Sequence, residues 1–227
     1  SWRRGIILCT LTSTVALYAL TVTIANVSLP QMQGALSATQ DQIALVITFN
    51  IVATAVATPL TGWLVARFGQ RRLLLFCVTA FTISTLFCGL AGSLEMLVVF
   101  RVFQGLCGAP LAPLSQAIVL ASYPLEKRGT ATAIFGMGVV IGPLIAPTVG
   151  GYLSEEYSWR WIFFMIVPFG VISLLCCWAV VADSVRNVRV RFDWTGFIAL
   201  SVAIACFQLL LDRGERNSWL DSTEIVL

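Results

Sequence analysis

The sequence has no histidine in 227 residues, and only 11% of its residues are charged. Without imidazole there can be no Ser-His or Cys-His nucleophilic pair and no His-ligated metal. The charged fraction is less than half of the roughly 25% usual in a soluble domain, while 58% of residues are hydrophobic. Acids are scarcest where proton chemistry would need them, since no Asp or Glu lies deep in a long apolar run. The seven cysteines, Cys9, Cys77, Cys88, Cys107, Cys176, Cys177 and Cys206, all fall in apolar runs without metal-ligand spacing. They read as small packing residues rather than a disulfide framework. The net charge of +3 is small and scattered and does not point to nucleic acid. No nucleophile–base or carboxylate pair falls within an apolar run, which argues against an enzyme. No metal or organic cofactor is implied.

What the sequence has instead is length without charge. Uncharged intervals cover residues 5–40, 42–66, 73–93, 102–125, 129–154, 161–182 and 194–211. A helix crossing a hydrocarbon core of about 30 Å needs roughly 20 apolar residues, so these predict seven spans, with Ile225, Val226 and Leu227 starting an eighth. Pro30 is expected to end the first helix. The first run is too long, and lacks the flank, for a cleaved signal peptide. The chain opens without methionine and stops as an apolar run begins, and it reads as a fragment of a longer polytopic membrane protein.

If the N-terminus lies inside, the inner segments hold ten basic residues and the outer segments three, with Arg101 within a span. That asymmetry predicts a cytoplasmic N-terminus. The most polar inner stretch, 183–193, marks a boundary. The expected organisation is an all-α six-helix membrane bundle over 1–182, arranged as two units of three. A cytoplasmic linker follows over 183–193. The seventh span, an outer loop and the start of an eighth occupy 194–227.

Three features need an explanation beyond hydropathy. Arg101 lies about six residues into the fourth span, where a charge costs at least ~2.5–3.5 kcal/mol. It can snorkel to the outer surface, or it can line a polar cavity. Gln104, Gly108, Ala112 and Ser115 follow at steps of three or four on its face, which favours the cavity. Elsewhere within the spans, Asn26 and Asn50 are the amide side chains of the first and second. Asn26 can equally hydrogen-bond a neighbouring helix.

In the fifth span Gly138, Gly142, Ala146 and Gly150 recur every four residues, a face that lets another helix approach closely. Pro143 and Pro147 share a second row, continued by Gly151, and should bend the helix. The third feature is the inner segment 62–72, where Gly62 and Gly69 permit a tight turn. Its Arg67, Arg71 and Arg72 would face headgroups and helix ends, as a plain positive-inside anchor would also do.

Several motifs together resemble the N-terminal half of a major facilitator superfamily transporter, most closely the fourteen-span drug exporters of the EmrB/QacA type. Segment 62–72 resembles the signature between spans two and three. Arg101 to Gly105 (RVFQG) resembles that of span four, and Gly138 through Gly142, Pro143, Pro147, Gly150 and Gly151 resembles the antiporter motif of span five. Asn26 with Pro30 fits the end of span one, Trp159 to Phe164 with Pro168 and Gly170 fits the start of span six, and Leu211 to Gly214 with Trp219 resembles the outer loop after span seven. Two positions depart from the pattern, with Thr21 and Ala66 standing where such proteins usually carry aspartates.

The resemblance implies export of hydrophobic or amphipathic compounds by proton antiport and alternating access, in the inner membrane of a bacterium. The partners implied are the lipid bilayer, a small-molecule substrate, protons, the missing C-terminal bundle and a periplasmic adaptor protein. Asn26, Asn50, Arg101, Gln104 and Ser115 would line the route, and Gly62, Arg67, Gly69, Arg71 and Arg72 would form a cytoplasmic gate loop. Span five would pack against the other bundle to keep the outer leak closed. Thr21 cannot carry a proton, so coupling would use a carboxylate in the missing half, or rely on Arg101 and bound substrate alone. A transport-inactive sensor or assembly partner, or a metabolite importer, are the alternatives on the same fold.

Overall fold

Ten α-helices account for nearly all of the residues that the structure, a computed structural model, describes: 2–182 and 193–214. They are α1 (Trp2–Val27), α2 (Leu29–Ala35), α3 (Gln40–Ala57), α4 (Thr61–Phe68), α5 (Gln70–Leu90), α6 (Leu94–Gly108), α7 (Leu111–Ser122), α8 (Arg128–Glu156), α9 (Trp161–Val180) and α10 (Trp194–Gly214). Six stretches are long and apolar enough to cross a membrane: Trp2–Val27, Gln40–Phe68, Gln70–Leu90, Leu94–Ser122, Leu125–Glu156 and Trp161–Val180. The region expected as a seventh span forms the helix α10, whose apolar part, Trp194–Gln208, is shorter than these six. All of the expected linker 183–193 but Asp193, together with Trp219 and the expected eighth span, lies outside the described residues.

Local chemistry explains most boundaries. α1 stops three residues before Pro30, which falls in the first turn of α2, where a missing N–H is harmless. Thr39 caps α3 reciprocally: its hydroxyl accepts from the Gln42 N–H at 3.3 Å, and its own N–H donates to Gln42 Oε1 at 3.0 Å. Ser93 caps α6 by accepting from the Met96 N–H. The second span is interrupted by a 3-10 turn at Pro59, and the fourth by a simple turn at Ala109-Pro110. α8, by contrast, stays helical through both Pro143 and Pro147.

The helices bury each other in a regular exchange. The main contacts pair α1 with α8, α3 with α6, α5 with α9, α5 with α6, and α1 with α9. Swapping spans one, two and three for four, five and six maps this set onto itself, as two units of three require. The outside is apolar, with Leu144, Phe76, Met137 and Leu175 well exposed, whereas Thr85, Arg101, Gln104 and Ser115 are buried within. That distribution suits a hydrocarbon solvent better than water. α10 packs on α3.

Candidate functional site

The side chain of Arg101 does not snorkel. It starts on the second turn of α6 and is 2% exposed, enclosed by α5, α6 and α9. Its Nη1 donates to Gln104 Oε1 at 2.7 Å, and Gln104 Nε2 donates to Thr85 Oγ1 at 2.7 Å. The Thr85 hydroxyl donates onward to Phe81 O on its own helix. The guanidinium carbon lies 4.9 Å from the ring centroid of Phe163, within cation–π range. Nε and Nη2 are buried without a hydrogen-bond partner among the described residues. Arg101 is therefore held by a neutral amide and a ring face rather than by a carboxylate. Thr21, at the position where a carboxylate was expected, is buried and donates its hydroxyl to Leu17 O one turn back.

Asn50 joins this group through the backbone. Its Nδ2 donates to Arg101 O at 2.8 Å, linking α3 to α6. One turn further, the Thr54 hydroxyl lies 2.9 Å from Asn50 O and 3.3 Å from Gly105 O, while Tyr18 OH is 3.4 Å from it. A Cβ on Gly105 would meet Asn50 O at 2.5 Å, so only glycine lets the helices pass this closely. Ser115, on α7, is fully buried and its hydroxyl has no partner among the described residues. Asn26 is exposed near the end of α1. The structure thus brings Asn50, Arg101 and Gln104 together, and leaves Asn26 apart on the surface.

The small-residue row of the fifth span belongs to α1. A Cβ on Gly142 would press on Ala16 O and Leu20 N of the α1 backbone; one on Gly138 would meet Thr12, and one on Gly150 would meet Ile24. The helix that makes the close approach expected of this face is α1. The proline row lies more openly: Pro143 and Gly151 are half-buried and Pro147 is exposed, beside Leu144 and Ile145.

The inner segment also differs from its expected form. It is helical on both sides, with Gly69 alone making the turn at φ 85°, a conformation that favours glycine. Gly62 lies inside α4 with open space around its Cα, so it makes no turn. Arg71 Nη2 donates to Trp178 O near the end of α9 at 2.8 Å. Arg67 lies over the Trp63 ring, and Arg72 is exposed.

Thr85 and Phe163 escaped the sequence reading. A threonine in an apolar span carries no local signal of its partner, and Phe163 sits in a run of aromatics with nothing to single it out.

Comparison with known proteins agrees with this architecture. The family model described as Major Facilitator Superfamily matches residues 11–219. The chain belongs to that superfamily. It is 41% identical over 226 residues to the multidrug export protein EmrB of Haemophilus influenzae, covering 98% of this chain and 44% of the relative. It is 42% identical over 206 residues to EmrB of Escherichia coli strain K12, covering 90% and 40%. The fatty acid resistance protein FarB of Neisseria gonorrhoeae is 41% identical over 213 residues, covering 93% and 42%. The chain thus spans less than half the length of these relatives. Among solved structures, an inward-facing bacterial homologue of the lysosomal transporter Spinster aligns with a TM-score of 0.71 at 24% identity, over 85% of this chain and 46% of that one. A peptide transporter crystallised with sulfate gives 0.73 at 18%, over 97% and 48%. At such identities these two speak to the fold alone.

Proposed function

We propose that this chain is the N-terminal bundle of a secondary exporter that moves hydrophobic or amphipathic organic compounds out of a bacterial cell. The observation that carries the reading is the similarity to proteins named for multidrug export, which runs through nine-tenths or more of the chain. The membrane is the cytoplasmic one, with the N-terminus inside, as the ten-to-three distribution of basic residues favours. Transport runs by alternating access against a C-terminal bundle, driven by proton antiport, and a periplasmic adaptor would extend the route where a second membrane exists.

Within this bundle the buried Arg101–Gln104–Thr85 chain and the Asn50 amide form the polar side of the route, with Ser115 further along the span and Asn26 near the mouth. Among the described residues Arg101 has no acidic neighbour in hydrogen-bond reach, and the hydroxyl of Thr21 is engaged on its own helix. Proton coupling would then use a carboxylate in the other bundle, or rely on Arg101 and bound substrate alone. The face of α8 with Leu144, Ile145 and Pro147 would meet that bundle. The turn at Gly69 with Arg67, Arg71 and Arg72 would latch the cytoplasmic end. One observation favours the transport-inactive alternative, a sensor or assembly partner: the lack of a carboxylate beside Arg101.

The test is dye movement by the full-length protein in liposomes under an imposed pH gradient. Gradient-driven flux in the wild type, lost in Arg101→Met, supports export; no flux for any candidate compound supports the sensor. Arg101→Met should change stability by no more than about 2.5 kcal/mol. A mid-span charge costs about 2.5–3.5 kcal/mol, against about 2 from the ring contact and roughly 1.5–3 from one charged hydrogen bond. Labelling of single cysteines placed near Arg189 should occur only from the cytoplasmic side, and labelling from outside would overturn the orientation.

A further inference from the structure

At the end of the bundle that holds Gly69, a cavity of about 370 Å³ opens between α1, the start of α5, the last turn of α7 and the end of α9. Arg3, Arg4, Gln70 and Ser122 supply its polar wall, and Ile118 and Val181 part of its apolar floor. Both arginines are exposed, and neither has a hydrogen-bond or ion-pair partner among the described residues. Among the described residues no carboxylate lines the cavity. The Ser122 hydroxyl donates to Ile118 O at 2.7 Å, so the donors facing the cavity are the two guanidiniums and the Gln70 amide; with a greasy floor beside them they are complementary to an anion whose other end is apolar.

Guanidinium forks match the oxygens of phosphate geometrically as well as electrically, and basic pockets between the ends of spanning helices hold acidic lipid head groups. We propose that this cavity binds an acidic phosphate group, with Arg3 and Arg4 as its ligands. A phospholipid head group and free phosphate share that chemistry. The site is distinct from the Arg101 group and depends neither on export nor on which side of the membrane it faces.

The experiment uses the purified full-length protein in detergent. Its thermal midpoint is followed while short-chain phosphatidylglycerol, phosphatidylcholine of the same chain length, or inorganic phosphate is added. A saturable rise with phosphatidylglycerol but not with phosphatidylcholine is expected, and its absence with phosphate assigns the site to lipid; a rise with phosphate alone assigns it to the free anion. In the double variant Arg3→Gln, Arg4→Gln the half-saturating concentration should rise about thirtyfold, from roughly a factor of five to six for each charge. Lys127→Gln, an exposed charge at the same end outside the cavity, should leave the response unchanged. Equal responses to both lipids, no response to any of the three additives, or an unaltered response in the double variant, would overturn the proposal. So would an equal loss in Lys127→Gln, which would reduce the effect to general basicity. Both arginines are exposed, so the double variant without lipid should melt where the wild type does.

Discussion

The contacts of α1 with α8 and of α3 with α6 occupy equivalent places in the two-fold exchange of three-helix units, yet they are built differently. Each contains a glycine whose Cβ would collide with a backbone carbonyl of the facing helix, Gly142 on Ala16 O and Gly105 on Asn50 O. Around Gly142 the contact is made of small residues repeated every four positions, and its side-chain hydrogen bond sits at one end, where Ser28 and Ser154 oxygens lie 2.7 Å apart. Around Gly105 the helices are tied in the middle, by Asn50 to Arg101 O and by Thr54 between Asn50 O and Gly105 O. In lipid, where no hydrophobic force drives helices together, close packing and interhelical hydrogen bonds are the two available means. This bundle uses one on each side. The polar solution stands where Arg101 must be held; the apolar one stands where two backbones can come closest.

Enlarging the glycine of the apolar contact should do the greatest damage. Gly142→Leu has no flexible side chain to displace, since the α1 backbone itself is in the way. Overpacking of this kind costs about 1–3 kcal/mol and can exceed it, so the expected result is a full-length protein that is poorly inserted, or one whose melting temperature falls sharply. Gly136→Leu, on the same helix but facing open space, should melt within a degree or two of the wild type. Normal yield and stability for Gly142→Leu would break the distinction between the two contacts.

The polar contact should yield more gradually. Asn50→Leu removes the donor to Arg101 O while keeping bulk, and the carbonyl remains in the helical ladder of α6. Interhelical hydrogen bonds in membrane proteins average about 0.6 kcal/mol and reach ~1.7, so the loss should lie in that range by reversible unfolding. Thr85→Val should cost as little in stability, but it leaves Gln104 Nε2 without its acceptor and should lower transport more than it lowers the melting temperature. A loss for Asn50→Leu as large as that for Gly142→Leu would mean that the hydrogen bonds, not the packing, hold this side.

These two contacts also show what a sequence can and cannot display. The helices and the row Gly138, Gly142, Ala146, Gly150 are local and periodic, so both could be read from spacing. Which helix fills the row is a long-range fact: α1 lies more than a hundred residues earlier, and nothing in the period of four distinguishes it from a helix of a second bundle. Arg101 announced itself because charge in an apolar run is costly. Its partners did not, because Thr85 and Phe163 are ordinary residues for a membrane helix. Gly62 and Gly69 look alike in sequence, and only the backbone shows that one continues a helix while the other turns it. Asn26 looked like Asn50, an amide in an apolar run, and differs only in which way its helix faces.

The smallest effect concerns α10, which packs on α3 and so adds to one of the two contacts only in the main. Asp193 caps its start: the carboxylate accepts from the Gly196 N–H at 3.0 Å and from the Thr195 hydroxyl at 2.8 Å. These bonds, the Gly196 N–H first, hold the carboxyl below the usual carboxylate range. Because the folded form binds its proton less readily than the unfolded one, the cap is fully effective above the ordinary aspartate pKa and is lost as pH falls through the lowered value. Protection of the Gly196 and Phe197 amides, taken relative to the intrinsic exchange rate at each pH, should therefore be unchanged down to the ordinary carboxylate range and fall below it, whereas Asp193→Ala should show the lower protection at every pH. The group is fully exposed, so the change should stay at the start of α10. Protection of the α3 amides that face α6 should not follow it; if it does, α10 is part of what holds the polar contact together.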